Sequence, residues 1–351
     1  MLKFEGVADQ VSTNVLLQLY AHFQKRDEYS DLRVFFPKGN VGKAFARPNE
    51  LMPVDEKVCN YVTDVIKAAL VKRFESLDAL EEVYIDPALK GYAAPLSQRA
   101  ASKSLKTLAR GSRLEIPEGD TIRFFLWWKE GMVNGQKTGR VDVDLSAVIY
   151  DENWGYQEHI TYTNLKSERF NSYHSGDITS APRGASEFID IDIPSAIDAE
   201  SRYVVMSLNS YTHQPYCNLP ECFAGWMMRK KPNSGEVYEP KTVDQKIDVA
   251  ADTTIAIPVI LDLETRQFIW TDLALTKNPY WYNNVEGNQK GMVLLGQAMA
   301  NLQKPNLYDL FEMHGLARGK IVKKKEDAKT IFSIEGGITP FDTDIIMAEF
   351  L

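Results

Sequence analysis

The sequence is poor in the residues that mark several classes of protein. Its 351 residues include only three cysteines, Cys59, Cys217 and Cys222, too few for a disulfide framework and typical of a reducing compartment. No apolar run approaches the roughly 20 residues that cross a bilayer. The first ten residues carry acids and lack the apolar segment of a signal peptide. We therefore expect a cytoplasmic protein without membrane insertion.

Basic residues are outnumbered by acidic ones, with 40 Lys and Arg against 48 Asp and Glu. The formal net charge of -8 argues against a dedicated polyanion binder, because phosphate neutralisation by Lys and Arg supplies most nucleic-acid affinity. The apolar fraction of 44% and the charged fraction of 25% are typical of a folded globular protein. The length exceeds the usual domain of roughly 100 to 150 residues, which predicts two domains or one core with large additions.

Hydrophobic periodicity divides the chain into three regions. Helical spacing predicts helices over residues 9–26, 54–74 and 96–110, and the short apolar stretches "DLRVFFP" and "EEVYIDP" predict strands. This N-terminal α/β region covers residues 1–110. Residues 278–351 return to helical spacing, with one short strand at "TIFSI".

Between these regions the period changes to two. Seven strand candidates lie between residues 113 and 275: "TIRFFLWW", "RVDVDLSAVIY", "HITYTNL", "EFIDIDI", "RYVVMSLNSY", "TTIAIPVILDL" and "RQFIWTDLAL". Several short strands separated by turns predict a β-sandwich, which we assign to residues 111–277. The expected fold class is α+β, with C-terminal helices packing on the sandwich.

The acids of "RVDVDLSA" are the first candidate site. Asp142 and Asp144 lie two residues apart on a predicted strand, so their side chains share one face, about 7 Å apart. Aspartate is depleted in strands, and two on one face repel unless water or a cation intervenes. The alternative is the solvated face of an ordinary strand, a pattern that "FIDIDI" repeats with Asp190 and Asp192.

The loop "SYHSGDITSAP" offers further oxygen atoms. It contains the Asp177 carboxylate beside a flexible Gly176, and Glu187 begins the next strand candidate. Calcium takes six to eight oxygen ligands and mixes carboxylates, carbonyls and water. Asp142, Asp144, Asp177 and Glu187 would form such a shell if the loop folds back over the strand end. Oxygen ligands alone leave magnesium and manganese open.

These stretches resemble one known family. "RGSRLEIPEG", "GRVDVDLSAVIYD", "HITYTNL", "SYHSGDITSAP" and "EFIDIDI" occur in the order found in the TerD family, the β-sandwich calcium-binding proteins of bacterial tellurite-resistance and stress-response operons. The flanking segments are similar to a larger bacterial variant of the family with additional N- and C-terminal segments. The resemblance implies calcium binding, no established enzymatic reaction, and a sensing or assembly role with protein partners of a stress-response complex.

The family's functional residues carry over position by position. Asp142 and Asp144 match its paired strand aspartates, Asp177 matches the aspartate of its Gly-Asp loop, and Glu187 matches the acid before the following strand. The family's loop usually continues with Asn and a cluster of Asp and Gly, whereas this chain continues with Ile178 and "SAPRGAS". We expect one calcium site, and a second site that depended on that cluster is doubtful here.

Two other functions remain open. Arg99, Lys103, Lys106 and Arg110 recur at spacings of four, three and four, with Arg113 just beyond. On a helix these cations would line one face, which predicts weak contact with nucleic acid or another polyanion; the alternative is a solvated helix face. An enzyme is the least favoured interpretation, since the sequence offers no nucleophile, cofactor loop or positioned base.

Overall fold

The computed structural model describes residues 2–36, 45–96, 103–104, 108–234, 243, 245–275 and 284–351. Its helices are α1 (Leu2–Glu5), α2 (Thr13–Phe23), α3 (Glu56–Phe74), α4 (Ile193–Asp198), α5 (Val285–Ala300), α6 (Leu307–Arg318) and α7 (Thr343–Glu349). Within these parts of the chain, none of the helices combines the length and apolar character that a membrane span requires.

The strands alternate with these helices along the chain. They are β1 (Leu32–Phe35), β2 (Phe45–Pro48), β3 (Glu81–Ile85), β4 (Lys103–Ser104), β5 (Arg113–Glu115), β6 (Thr121–Lys129), β7 (Met132–Val133), β8 (Gln136–Lys137), β9 (Val143–Tyr150), β10 (Tyr156–Ile160), β11 (Lys166–Ser167), β12 (Ser172–His174), β13 (Ala185–Asp192), β14 (Tyr203–Ser210), β15 (Glu221–Arg229), β16 (Gln245–Asp248), β17 (Ile255–Asp262), β18 (Gln267–Ala274), β19 (Gly319–Ile321) and β20 (Thr330–Phe332). The mixture of helices and several sheets confirms the α+β class.

Two antiparallel sheets form the sandwich. Sheet I has the order β10-β9-β14-β17-β18-β5, and sheet II has the order β11-β12-β13-β6-β15-β16-β4. Alternate residues of both sheets point into one shared core, as period-two strands with one buried face require. At the centre of this core the Phe268 ring of sheet I lies 4.1 Å from the Trp226 ring and 6.3 Å from the Phe124 ring of sheet II, measured between centroids.

Helix α5 covers the outer face of sheet I. Met292, Leu295 and Met299 of α5 pack in a second hydrophobic cluster with outward-facing residues of β9, β14, β17 and β18. The helix approaches closely because Gly296 has no side chain: a Cβ there would lie 2.1 Å from the Trp154 ring. Sheet I is therefore buried on both faces over this area, which explains its nearly continuous apolar strands.

The N- and C-terminal segments share a third sheet, sheet III, of order β19-β3-β20. Both of its ladders are parallel. Helices α3 and α6 pack beside it, where the Phe74 ring stacks on the His314 ring at 3.7 Å and Phe311 stacks on Phe332 at 3.9 Å. The structure thus joins parts of the regions 1–110 and 278–351 in one layer; the proposed domain boundaries remain a prediction.

The helix predicted over residues 96–110 is wrong where the structure describes that segment. Lys103 and Ser104 form strand β4, which pairs with β16 at the edge of sheet II, and Leu108–Arg110 is not helical. Residues 97–102 and 105–107 lie outside the described residues. The reason is tertiary pairing: edge-strand hydrogen bonds to β16 replace the local hydrogen bonds that helical spacing favoured.

Candidate metal centre

The first two acids of the candidate site lie at the start of β9. Because Val143 and Leu145 point into the sandwich core, Asp144 points to the opposite face of sheet I. Asp142 and Asp144 are each only 3% exposed. The solvated-face alternative is therefore wrong for this strand, and both carboxylates are removed from most of the water that would stabilise their charge.

The repeated pattern in "FIDIDI" is not a solvated face either. The Asp190 carboxylate is buried and lies 2.5 Å from Arg123 Nε, and a second bond of 2.7 Å joins Arg123 to its other oxygen atom. Asp192 instead caps α4 by accepting the Ser195 backbone N–H at 3.1 Å. Every strand aspartate of that motif thus has a named donor, in contrast to the acids of β9.

The loop after β12 places Asp177 beside them. Gly176 adopts a φ of +115°, a backbone conformation that residues with a side chain rarely adopt, and its N–H donates to His174 Nδ1 at 3.1 Å. On the other side, the Ile178 N–H donates to Glu187 Oε1 at 3.0 Å. Asp177 is itself exposed, so a fixed backbone presents an exposed carboxylate to the buried pair.

Three of the four predicted ligands converge. One ligand oxygen from each of Asp142, Asp144 and Asp177 lies within 4.8 Å of the other two. Two oxygens that bind the same calcium ion at about 2.3 to 2.6 Å are separated by at most about 5 Å. The spacing is therefore compatible with a single cation between the three carboxylates.

Glu187 occupies a different position. Its side chain is fully buried, Oε2 accepts the Leu145 N–H at 2.9 Å, and Oε1 accepts the Ile178 N–H. His174 Nε2 lies 3.5 Å from Glu187 Oε2 and 3.3 Å from the Leu145 carbonyl oxygen. Glu187 and His174 thus bind the β9 backbone where β10 does not pair with it, and they join that backbone to the Asp177 loop.

Glu130 supplies a second connection of this kind, which the sequence did not reveal. Its Oε1 accepts the Val141 N–H at 3.1 Å, the Ala181 N–H at 2.7 Å and the Ser180 hydroxyl at 2.8 Å. Burial acts to raise the pKa of Glu130, but these hydrogen bonds hold it below its usual range, so the carboxylate stays charged. The residues before β9 and after Asp177 are therefore tied to one side chain.

Burial and repulsion raise the pKa values of the paired acids. Desolvation first, and then the Asp177 carboxylate, raise the pKa of Asp142 to about 6, although Arg140 opposes the shift. Desolvation, followed by Glu187, Asp142 and Asp177, raises the pKa of Asp144 to about 8. A bound cation would remove the cause of both shifts, because it compensates the lost hydration and the mutual repulsion.

Buried oxygen atoms without hydrogen-bond partners also favour a bound cation. Among the described residues, Asp142 Oδ1 and Asp144 Oδ2 are buried oxygens with no hydrogen-bond partner. Leaving a buried acceptor without a donor is unfavourable by about 1 to 3 kcal/mol, and by more for a charged group. The donor set consists of hard oxygen atoms, which suits calcium better than softer metals. These residues fit a divalent cation.

The helix that would present the predicted polyanion surface is absent where the structure describes that segment, and the polyanion contact itself stays a prediction. The Arg110 guanidinium donates to the Thr271 and Asp272 carbonyl oxygens at 2.9 and 2.6 Å. Arg113 Nη2 donates to the Ala300 carbonyl oxygen at 2.6 Å. Both arginines hold the sandwich edge to its neighbours, and Lys103 lies in β4 rather than on a helix. Arg99 and Lys106 lie outside the described residues.

Comparison with known proteins gives distant structural similarity only. No family model and no curated protein sequence matches the chain. A crystal structure of SAV2460, a protein of unknown function, is 14% identical and covers 48% of this chain and 96% of its own, with a TM-score of 0.36. That of SCO6318, a homologue of telluride resistance protein (TerD) from Streptomyces coelicolor A3(2), is 10% identical and covers 48% and 98%, with a TM-score of 0.37.

Proposed function

We propose that this chain is a calcium-binding protein of the TerD type that has no enzymatic activity. Its sandwich would hold one divalent cation between Asp142, Asp144 and Asp177, with Glu187 positioning the strand and the loop that carry them. The observation that carries the proposal is the pair of buried carboxylates at the start of β9, Asp142 and Asp144, each of which has one oxygen without a hydrogen-bond donor. The resemblance of the sequence motifs to the TerD family supports calcium as the ion.

The cation would act as a link between two parts of the chain. Asp144 belongs to β9 of sheet I and Asp142 directly precedes that strand, whereas Asp177 belongs to the loop that connects β12 and β13 of sheet II. Calcium supplies the positive charge that lets three close carboxylates remain ionised together. Binding would therefore neutralise the carboxylates and change the charge of the surface at this end of the sandwich.

We extend the proposal to the cellular role through the family resemblance. The protein would act in the bacterial cytoplasm, in a stress or tellurite-type response, as a metal-dependent sensing or assembly module for protein partners. The exposed position of Asp177 on an ordered backbone supports such a role. A cation bound there would change the surface, and a partner protein could then distinguish the metal-bound form from the metal-free form.

Thermal unfolding of chelator-stripped protein tests the proposal. Calcium at a hundred times its dissociation constant adds about 2.7 kcal/mol to the free energy of unfolding. We expect a rise in Tm with calcium that exceeds the rise with magnesium and that disappears in Asp177→Asn and in Asp142→Asn. The matched control is Asp198→Asn, an exposed acid at the end of α4. Equal Tm values with and without each cation would refute the proposal.

A further inference from the structure

A buried asparagine lies directly across the strand pair from the candidate metal centre. Strand β14 runs antiparallel to β9, and their register pairs Asn209 with Asp144 and Ser207 with Ser146. Residues directly opposite each other in an antiparallel pair have Cβ atoms about 4.5 to 5.5 Å apart and point to the same face. Asn209 therefore points to the face on which Asp144 lies.

The side-chain oxygen of Asn209 has no donor. The residue is 1% exposed, and Oδ1 is a buried atom without a hydrogen-bond partner. The nearest acidic side chain in the register, Asp144, also contributes an oxygen without a donor, and so does Asp142. Two acceptor oxygens cannot form a hydrogen bond with each other. The three unpartnered oxygens therefore all need a positively charged or proton-donating partner, and one cation between them would serve all three.

We infer that Asn209 is a further ligand of the divalent cation, through its amide oxygen. The inference rests on the proposed function and adds a neutral ligand from a third segment of the chain. Side-chain amide oxygens are ordinary calcium ligands, and they add coordination without adding charge repulsion to a site that already holds three carboxylates. Because β9 and β14 are hydrogen-bonded along their length, the spacing of Asp144 and Asn209 is fixed before the ion arrives.

This arrangement favours calcium over magnesium. Magnesium requires near-ideal octahedral geometry at 2.0 to 2.1 Å and usually keeps several waters, whereas calcium accepts six to eight oxygens in an irregular arrangement. A set of ligands fixed by two strands and one loop contracts poorly around the smaller ion. Removing Asn209 should therefore reduce the difference between the two cations as well as the affinity for calcium.

Calcium titration of the chelator-stripped full chain by calorimetry tests the inference. The test variant is Asn209→Leu, which keeps the side-chain volume and removes the oxygen. We expect it to bind calcium at least about tenfold more weakly, because the loss of a residue that only supports a metal ligand already weakens metal binding by about 10- to 100-fold. The matched control is Ser207→Ala, which removes a buried, unpartnered hydroxyl two residues earlier on the same face. It should bind calcium like the wild type.

A second variant and a second readout keep the outcomes distinct. Asn209→Asp retains an oxygen and the size of the side chain, so it should bind calcium at least as tightly as the wild type. Terbium luminescence reports occupancy independently, because Tyr162 lies near enough that burial and then the Asp144 carboxylate raise its pKa. Terbium emission excited through tyrosine should fall in Asn209→Leu at a subsaturating concentration and remain unchanged in Ser207→Ala.

Each outcome decides one question. Wild-type affinity in Asn209→Leu, together with weakened binding in Asp144→Asn, would overturn the inference and leave the proposed function intact. The same holds if Asn209→Asp abolishes binding while the apo protein remains folded by circular dichroism. A wild-type chain that binds no calcium would overturn both. A hydrogen-bond role for the amide predicts a lower apo Tm in Asn209→Leu with unchanged affinity, which would also overturn the inference.

Discussion

Calcium binding should release about one proton at neutral pH. A cation binds the ionised carboxylates, so the protons held by Asp142 and Asp144 must leave first. With a pKa of about 8, Asp144 is roughly nine-tenths protonated at pH 7, whereas Asp142, with a pKa of about 6, is roughly one-tenth protonated. Integrating the linkage from pH 7 to pH 6 predicts a roughly 15-fold increase in the apparent Kd.

Calorimetric titration in two buffers of different ionisation enthalpy, such as PIPES and Tris, measures this release directly. The observed enthalpies differ by the number of protons multiplied by the difference between the buffers' ionisation enthalpies. The control is Asp144→Asn, which removes the group that holds most of the proton and should release almost none at pH 7. Identical observed enthalpies in the two buffers, and a Kd that is constant between pH 6 and pH 8, would refute the assignment of these raised pKa values to the cation site.

Three further outcomes follow from the structure. Without a divalent cation, the free energy of unfolding should fall as the pH rises from about 4 to 8, because the folded chain holds protons on Asp142 and Asp144 that the unfolded chain has already lost. Calcium should oppose this fall. Tm values measured by fluorimetry at pH 5 and pH 8, with and without calcium, check both expectations. Arg123→Met should lower the free energy of unfolding, measured by urea titration, by about 3 to 5 kcal/mol, because it leaves the buried Asp190 carboxylate without its charged partner. The double variant Arg123→Met with Asp190→Leu should recover much of this loss. An equal loss in the single and the double variant would contradict the expectation. Gly296→Ala should lower the free energy of unfolding by about 1 to 3 kcal/mol and alter the near-ultraviolet circular dichroism of Trp154. The control is Gly291→Ala on the same helix, where a Cβ would lie 3.7 Å from Leu275, an ordinary contact distance. This control should leave the free energy of unfolding unchanged or raise it.

Much of the fold could be predicted from periodicity alone. The helical spacing at residues 9–26 and 54–74 corresponds to α2 and α3, and each of the seven sandwich strand candidates overlaps a strand, although "HITYTNL" includes only the last two residues of β10. Strand β15 was missed because "ECFAGWMMR" places Gly225 inside an irregular apolar run. The reason for that glycine is non-local: a Cβ there would lie 2.0 Å from the Gln245 carbonyl oxygen of the neighbouring strand β16.

The helix predicted over 96–110 failed for a related reason. Its charges have helical spacing, but Arg110 and Arg113 donate to carbonyl oxygens of β18 and α5, which lie more than 150 residues away along the chain. Spacing along one segment carries no information about such partners. Tertiary hydrogen bonds at the edge of the sandwich decided the conformation.

The candidate site could also be predicted only in part from the sequence. Strand periodicity was sufficient to place Asp142 and Asp144 on one face, and the Gly-Asp loop drew attention to Asp177. Neither could reveal that Asn209 lies opposite Asp144, because that pairing depends on the order of strands in sheet I. The available signal was the Asn209 amide in the strand candidate that contains "VVMSLNS", because a polar side chain that is buried in a strand needs a partner.

The position of β3 in sheet III sets an order on how the chain folds as it is synthesised. Strand β3 lies between β19 and β20, so both of its edges stay unpaired until residues 319–332 have been made. Arg318 Nε donates to the Asp78 carbonyl oxygen across 240 residues of sequence, which places this layer among contacts of very high contact order. The strands of the sandwich pair across shorter separations along the sequence, so we expect their pairing to be complete first. We therefore expect the terminal layer to form late during synthesis, and a nascent chain stalled before residue 319 would expose β3 with two open edges to chaperones and proteases.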